Sequence, residues 1–184
     1  MATADKIVSA FPPGLAKVGV FVNAEADPIR RLADRLGLDW IQLHGDEPPE
    51  MLGQLGDRQV LRAFRFSERG AAAIPRYLEL CRSAGRMPDA ILVDACQPGE
   101  YGGTGVTADW KAIAEIREVF APLPWVLAGG LTPFNVQDAV AAARPWAVDV
   151  ASGVESRPGV KNPLLVRAFV AAAQKAFAER NRSD

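Results

Sequence analysis

The chain has 184 residues, 49% of them hydrophobic and 23% charged, which fits one globular domain over residues 1–184 with a sizeable core. Lys and Arg number 21 against 22 Asp and Glu, so nothing advertises nucleic acid or an anionic membrane as a partner, and any anion site has to be local. No apolar run nears the ~18 residues of a membrane span, and MATADKIVSAF has no long apolar region with a cleavage site, so a soluble, cytoplasmic protein is expected.

In chain order, a short helix is predicted over Ala4 to Phe11, stopped by Pro12, Pro13 and Gly14, and a Val-rich strand over Lys17 to Asn23. Asp27 as cap with Pro28 at the first helical position opens a helix carrying Ile29, Leu32, Ala33 and Leu36 on one face up to Gly37. Trp40 to Gly45 forms the second strand, a short helix capped by Asp46 follows, and Gln59 to Phe66 forms the third strand. Ser67 caps a helix to Ser83 that Pro75 is expected to kink or split.

The fourth strand, AILVD, ends on a carboxylate, Asp94, and gives way to a loop rich in small residues, with Gly99, Gly102, Gly103 and Gly105. Thr107, with Asp109 in the first turn, starts the next helix, Trp125 to Gly130 is the fifth strand, and Thr132 with Pro133 signals a helix through Ala143. Ala147 to Gly153 is the sixth strand, and after the loop VESRPGVK, Asn162 and Pro163 open a final helix, with a frayed tail over 180–184. Strands alternating with helices imply a parallel sheet buried on both faces. Six strands leave open either a doubly wound sheet or part of a closed barrel. The segment after the first strand, Asn23 to Asp27, lacks the Gly-rich fingerprint of the former.

The stretches WIQLHGDE, ILVDACQPGEYGGTGVTADW, VLAGGLTPFNV and VDVASGVESRPGVK stand in the order and at about the spacing of phosphoribosylanthranilate isomerases, a tryptophan-pathway family, and the chain resembles that family from Lys17 to the end of the last helix. The resemblance implies a (β/α)8 TIM-barrel type fold, here shortened at its amino end to six βα units. It implies an Amadori rearrangement of N-(5-phosphoribosyl)anthranilate to 1-(2-carboxyphenylamino)-1-deoxyribulose 5-phosphate, with a phosphosugar as the small-molecule partner and no cofactor or metal. A general acid opens the furanose ring, and a general base takes the C2′ proton to give an enolamine that tautomerises.

The acid resembles Asp94, and the chemistry suits that position: partial desolvation at a barrel mouth disfavours the charged carboxylate and lets the group donate a proton near neutral pH. Gly129 and Gly130, with Ser152 and Gly153, match the family's phosphate loops, where glycine lets backbone N–H groups approach the anion; a pair of tight turns is the plainer alternative. Gln42 and His44, the only histidine, share strand parity and match substrate-lining positions, with a structural hydrogen bond as the alternative. Asp149 either tunes the site or is a buried carboxylate satisfied by neighbours, and Gly103 belongs, with Gly102 and Gly105, to a mobile loop over the substrate, with a simple tight turn as the alternative. Arg62 and Arg65 are expected at the surface, with one of them at the mouth as the alternative. Cys81 is expected as a small core residue and Cys96 as an ordinary loop thiol beside Asp94, with a stand-in for the family's base as the alternative; the two make neither a disulfide framework nor a zinc set.

The family's base is a cysteine in a Cys-Gly pair at the end of its first strand, and an arginine after its second strand holds the anthranilate carboxylate; neither pattern occurs before KVGVFVN. The first strand, first helix and second strand are therefore expected to be missing, which leaves a catalytically inactive phosphosugar-binding remnant as the alternative function. An incomplete barrel has two strand edges, at KVGVFVN and AVDVASG, and self-association through them, aggregation, or rescue by a separate first βαβ piece is expected.

Overall fold

The computed structural model describes residues 2–66, 68–95, 110–115 and 117–183. Cys96, the loop glycines including Gly103, and the expected helix start at Thr107 lie outside the described residues. Strands β1 (Val18–Phe21), β2 (Trp40–Leu43), β3 (Gln59–Arg65), β4 (Ala90–Asp94), β5 (Trp125–Ala128) and β6 (Ala147–Val148) are hydrogen-bonded in chain order in one sheet. The β1–β2, β2–β3 and β5–β6 pairs are parallel, with Val18 opposite Trp40, Trp40 opposite Gln59 and Val126 opposite Ala147. A doubly wound sheet reverses its strand order at a switch point, whereas unbroken sequential order is that of the barrel-type α/β fold. The order therefore decides between the two architectures left open above.

Two compact units divide within β3 and β4: the first comprises Met1–Ala63 and Pro75–Ile91, the second Phe64–Ile74 and Leu92–Asp184. In the first, helices α1 (Ala2–Ser9), α2 (Ala26–Leu36), α3 (Met51–Gln54) and the later turns of α4 (Glu68–Ser83) accompany β1 to β3. Ile29 and Ala33 of α2, Ile41 and Leu43 of β2, Leu52, Leu55, Val60 and Cys81 form its core. These positions alternate along the strands and recur at three to four residues along α2, so each element turns one face inward.

In the second unit, α5 (Trp110–Glu115), α6 (Val136–Ala143) and α7 (Pro163–Ser183) accompany β5 and β6. Val136, Ala139, Val140 and Ala143 make a buried stripe on α6, and Phe169, Ala173 and Ala176 one on α7. The small residues let the two helices pack closely. The β5 strand is buried along its whole length, as a strand covered on both faces must be.

Several boundaries differ from the sequence expectation. The α2 helix begins at Ala26 with Glu25 as N-cap, and Asp27, inside the first turn, pairs with Arg30 instead of capping. The helix after β2 is only Met51–Gln54, because Pro48 and Pro49 delay it, and Asp46 lies outside it with its N–H donated to Asn23 Oδ1 at 2.7 Å. Pro75 lies within α4 without splitting it. Thr132 does not cap α6, which starts three residues after Pro133 with Asn135 at its N-cap position. Asn162 does cap α7, its side-chain oxygen accepting from Leu164 N at 2.9 Å and Leu165 N at 3.4 Å, and α7 runs on to Ser183 through the residues expected to fray. The sixth strand is two residues long, and VESRPGVK, expected as a loop, forms an antiparallel hairpin of β7 (Glu155–Arg157) and β8 (Val160–Lys161).

Candidate functional site

In the second unit Asp94 closes β4. The four residues before it are at most 1% exposed, and the half-buried Asp94 is the first polar group the strand presents at its carboxyl end. The hydrogen bonds carry the neighbouring strands to the same level: Phe66 N donates to the Asp94 carbonyl at 2.7 Å, Ala95 N to Ala128 O at 2.9 Å, and Asp149 N to Leu127 O at 2.8 Å. Asp94, the Gly129–Gly130 turn and Asp149 thus share the carboxyl ends of β4, β5 and β6, where α/β barrels hold their chemistry.

Gly129 and Gly130 have φ of +91° and +65°, the left-handed region that a side chain disfavours, so the turn after β5 demands glycine. Asn135 staples this turn from the start of α6, its Oδ1 accepting from Thr132 N at 2.7 Å and its Nδ2 donating to Gly130 O at 3.0 Å. Ser152 and Gly153 lie in a single 3-10 turn, Ser152–Val154, rather than on the sixth strand. Gly153 packs directly on the other turn, since a Cβ there would overlap the Leu131 carbonyl oxygen. The two candidate phosphate loops therefore touch, backbone against backbone. Ser152 is exposed at this junction, and Asp149 is exposed too, so it is not the buried carboxylate that was one of its two readings.

The hairpin behind this junction holds it from the other side. Lys161 Nζ donates to Ala151 O and to a Glu155 carboxylate oxygen, both at 2.7 Å. The Lys161 hydrogen bond, aided by the Gly159 N–H, keeps the Glu155 carboxyl below its ordinary range. Neither Asn135 nor Lys161 was singled out from the sequence. Asn135 had a signal, an N-cap residue type directly before VQDAV, that the Thr-Pro pair three residues earlier obscured.

In the first unit Gln42 is 6% exposed and its Nε2 lies 2.9 Å from Nδ1 of the half-buried His44, the shared strand parity made into a direct contact. The amide nitrogen can only donate, so Nδ1 is the ring atom that accepts in this contact. Arg65 is exposed as expected, but Arg62 is not at the surface. It is 5% exposed and, like Val60 two residues earlier, turns toward the helix side of β3, where its guanidinium stands 4.9 Å from the centre of the Tyr77 ring on α4. Its burial is offset because Glu47, 2% exposed, pairs with it at 3.4 Å and the carbonyls of Leu43, Gly45 and Ala63 accept from its Nη1 and Nη2 groups at 2.9 to 3.0 Å. Burial pushes the Tyr77 phenol up, against the Arg62 charge, and pushes the Cys81 thiol up likewise, so Cys81 is a protonated core residue at neutral pH. Among the described residues no group of three or more His, Cys, Asp or Glu is placed to hold a metal ion, and no helix is long and apolar enough to cross a membrane.

A carboxyl group at a strand end beside paired glycine turns can move a proton on a ligand whose anionic group the turns hold. Comparison with known proteins gives the family. The family model for N-(5'phosphoribosyl)anthranilate (PRA) isomerase matches residues 2–172. The N-(5'-phosphoribosyl)anthranilate isomerase of Geotalea uraniireducens is 43% identical over 171 residues, which are 93% of this chain and 78% of that one. The crystal structure of phosphoribosyl anthranilate isomerase from Thermotoga maritima superposes with a TM-score of 0.81 at 38% identity, covering 95% of this chain and 80% of that one. A second phosphoribosyl anthranilate isomerase structure, in complex with reduced 1-(o-carboxyphenylamino)-1-deoxyribulose 5-phosphate, gives 0.77 at 35% identity and covers 95% and 79%. With the family model spanning nearly the whole chain and the solved folds superposing at this identity, the chain belongs to the N-(5'-phosphoribosyl)anthranilate isomerase family.

Proposed function

We propose that this chain carries the acid and phosphate half of a site for the Amadori rearrangement of N-(5-phosphoribosyl)anthranilate to 1-(2-carboxyphenylamino)-1-deoxyribulose 5-phosphate, a step of tryptophan biosynthesis. The observation that carries the reading is the common level of Asp94 and the two touching glycine turns at the carboxyl ends of β4 to β6. On this reading Asp94 protonates the furanose ring oxygen as the ring opens. The backbone around Gly129, Gly130, Ser152 and Gly153 holds the phosphate, while Gln42, His44, Asp149 and the loop of Gly103 contact the rest of the substrate. The six strands then correspond to the family's third to eighth, and a segment bearing the first strand supplies the base that takes the C2′ proton. Cys81 is in the core, which leaves it no part in that step.

Loss of anthranilate fluorescence tests this with the chain alone, Asp94→Ala, and each of them mixed with a first-βαβ fragment from a complete relative. Conversion that appears or rises on mixing and falls at least 100-fold in Asp94→Ala is expected. A second reading is a phosphosugar-binding protein without catalysis. It predicts no conversion in any mixture while the reduced carboxyphenylamino-deoxyribulose phosphate still binds. The same proposal includes self-association through the strand at the β1 end of the sheet, where Val18 and Val20 are 45% and 59% exposed.

A further inference from the structure

We propose that Glu47 and Arg62 are positioning residues for His44, fixing the backbone on both sides of it and, through that, the ring's orientation and tautomer. Four main-chain groups around this one residue are tied to the pair or to β1. Arg62 Nη1 donates to Leu43 O at 3.0 Å, His44 N donates to Phe21 O at 2.8 Å, Gly45 N donates to Glu47 Oε2 at 3.0 Å, and Arg62 Nη2 donates to Gly45 O at 3.0 Å. Glu47 Oε1 also accepts from Asn23 N at 2.8 Å, so one carboxylate joins the ends of β1, β2 and β3. Gly45 is held against this bracket: a Cβ there would come within 2.7 Å of Asn23 N.

A strand end anchored at four points fixes the direction in which the His44 Cα–Cβ bond leaves the chain, and the 2.9 Å contact with Gln42, whose Nε2 can only donate, then orients the ring with Nδ1 as acceptor. Both members of the pair sit on the helix side of the sheet, with Arg62 over Tyr77, while Gln42 of β2 and His44 just after it alternate with the core residues Ile41 and Leu43. The arrangement resembles the support behind a metal-bound histidine in purpose: charged groups out of contact with the ligand hold the group that meets it. It also explains a buried ion pair that contributes little net stability, since removing two charges from water offsets most of their attraction.

Because His44 is the only histidine, its ring nitrogens give a single pair of signals in long-range 1H–15N spectra of the full chain. Two variants are compared with the parent: Glu47→Gln, and the double variant Glu47→Leu/Arg62→Met, which removes both charges together. The parent is expected to show the well-separated shifts of a single tautomer with its proton on Nε2, and each variant is expected to bring them toward the tautomer average. A double variant that melts cooperatively with parental ring shifts overturns the inference, and so does one that does not fold, because the pair is then a stability element. Binding of the reduced carboxyphenylamino-deoxyribulose phosphate is measured alongside and rests on the functional reading above, with a fall of about tenfold expected in both variants. Altered ring shifts with unaltered affinity would uphold the positioning role and remove His44 from the ligand site, so the two readings fail separately.

Discussion

Gly153 shows how a single residue can be dictated by its neighbour's backbone. Its Cα faces the Leu131 carbonyl so closely that any side chain collides with main chain, which cannot rotate away. Gly153→Ala should therefore separate the two turns after β5 and β6 and weaken binding of the reduced phosphosugar analogue by tenfold or more, ~1.4 kcal/mol, measured by calorimetry. An unchanged affinity would remove this junction from the phosphate site. Arg62 illustrates the opposite kind of dependence. Arginine on a strand that alternates with apolar residues reads as solvent-facing, and only the third dimension supplies the carboxylate of Glu47 and three carbonyls that let it lie buried.

At the scale of elements, the helix starts divide by the company of their capping residues. Asn162 has no rival nearby and its side chain takes two N–H groups of the first turn of α7, so Asn162→Ala should lower the stability of the chain by ~1 kcal/mol in urea unfolding. A loss under a few tenths would mean that water serves those groups equally well. Thr132 and Pro133 carry the same signal, yet the chain uses them differently: Thr132 Oγ1 accepts from Phe134 N at 3.2 Å inside the loop, and Asn135 shapes the turn before α6. The loop thus delays the helix by three residues, which gives the Gly129–Gly130 turn a staple. The β6 strand is shortened for a related reason, as the chain leaves the ladder after Asp149 to lay Gly153 on Leu131.

For the whole molecule, the sheet order ends at β1 on one side and β6 on the other. β1 offers Val18 and Val20 to solvent, an edge that can template another strand. Concentration-dependent association is expected in sedimentation, and Val20→Lys should shift the chain toward monomer, since charge on an edge strand disfavours strand addition. A parent chain that stays monomeric at all concentrations would count against association through β1.

The sequence by itself determined the alternation of strands and helices, the faces of α2, the placement of Asp94 at the end of its strand and the family to which the chain belongs. These follow from local periodicity and from motifs whose residues are contiguous. Only the tertiary structure decided that the strands run in sequential order, that Arg62 is buried with Glu47, that Asp149 is exposed and that the two glycine turns touch. Each of those depends on which distant segment supplies a partner. A buried charge needs a specific counter-charge and a glycine needs a specific obstacle, and neither is encoded in the residues on either side of it.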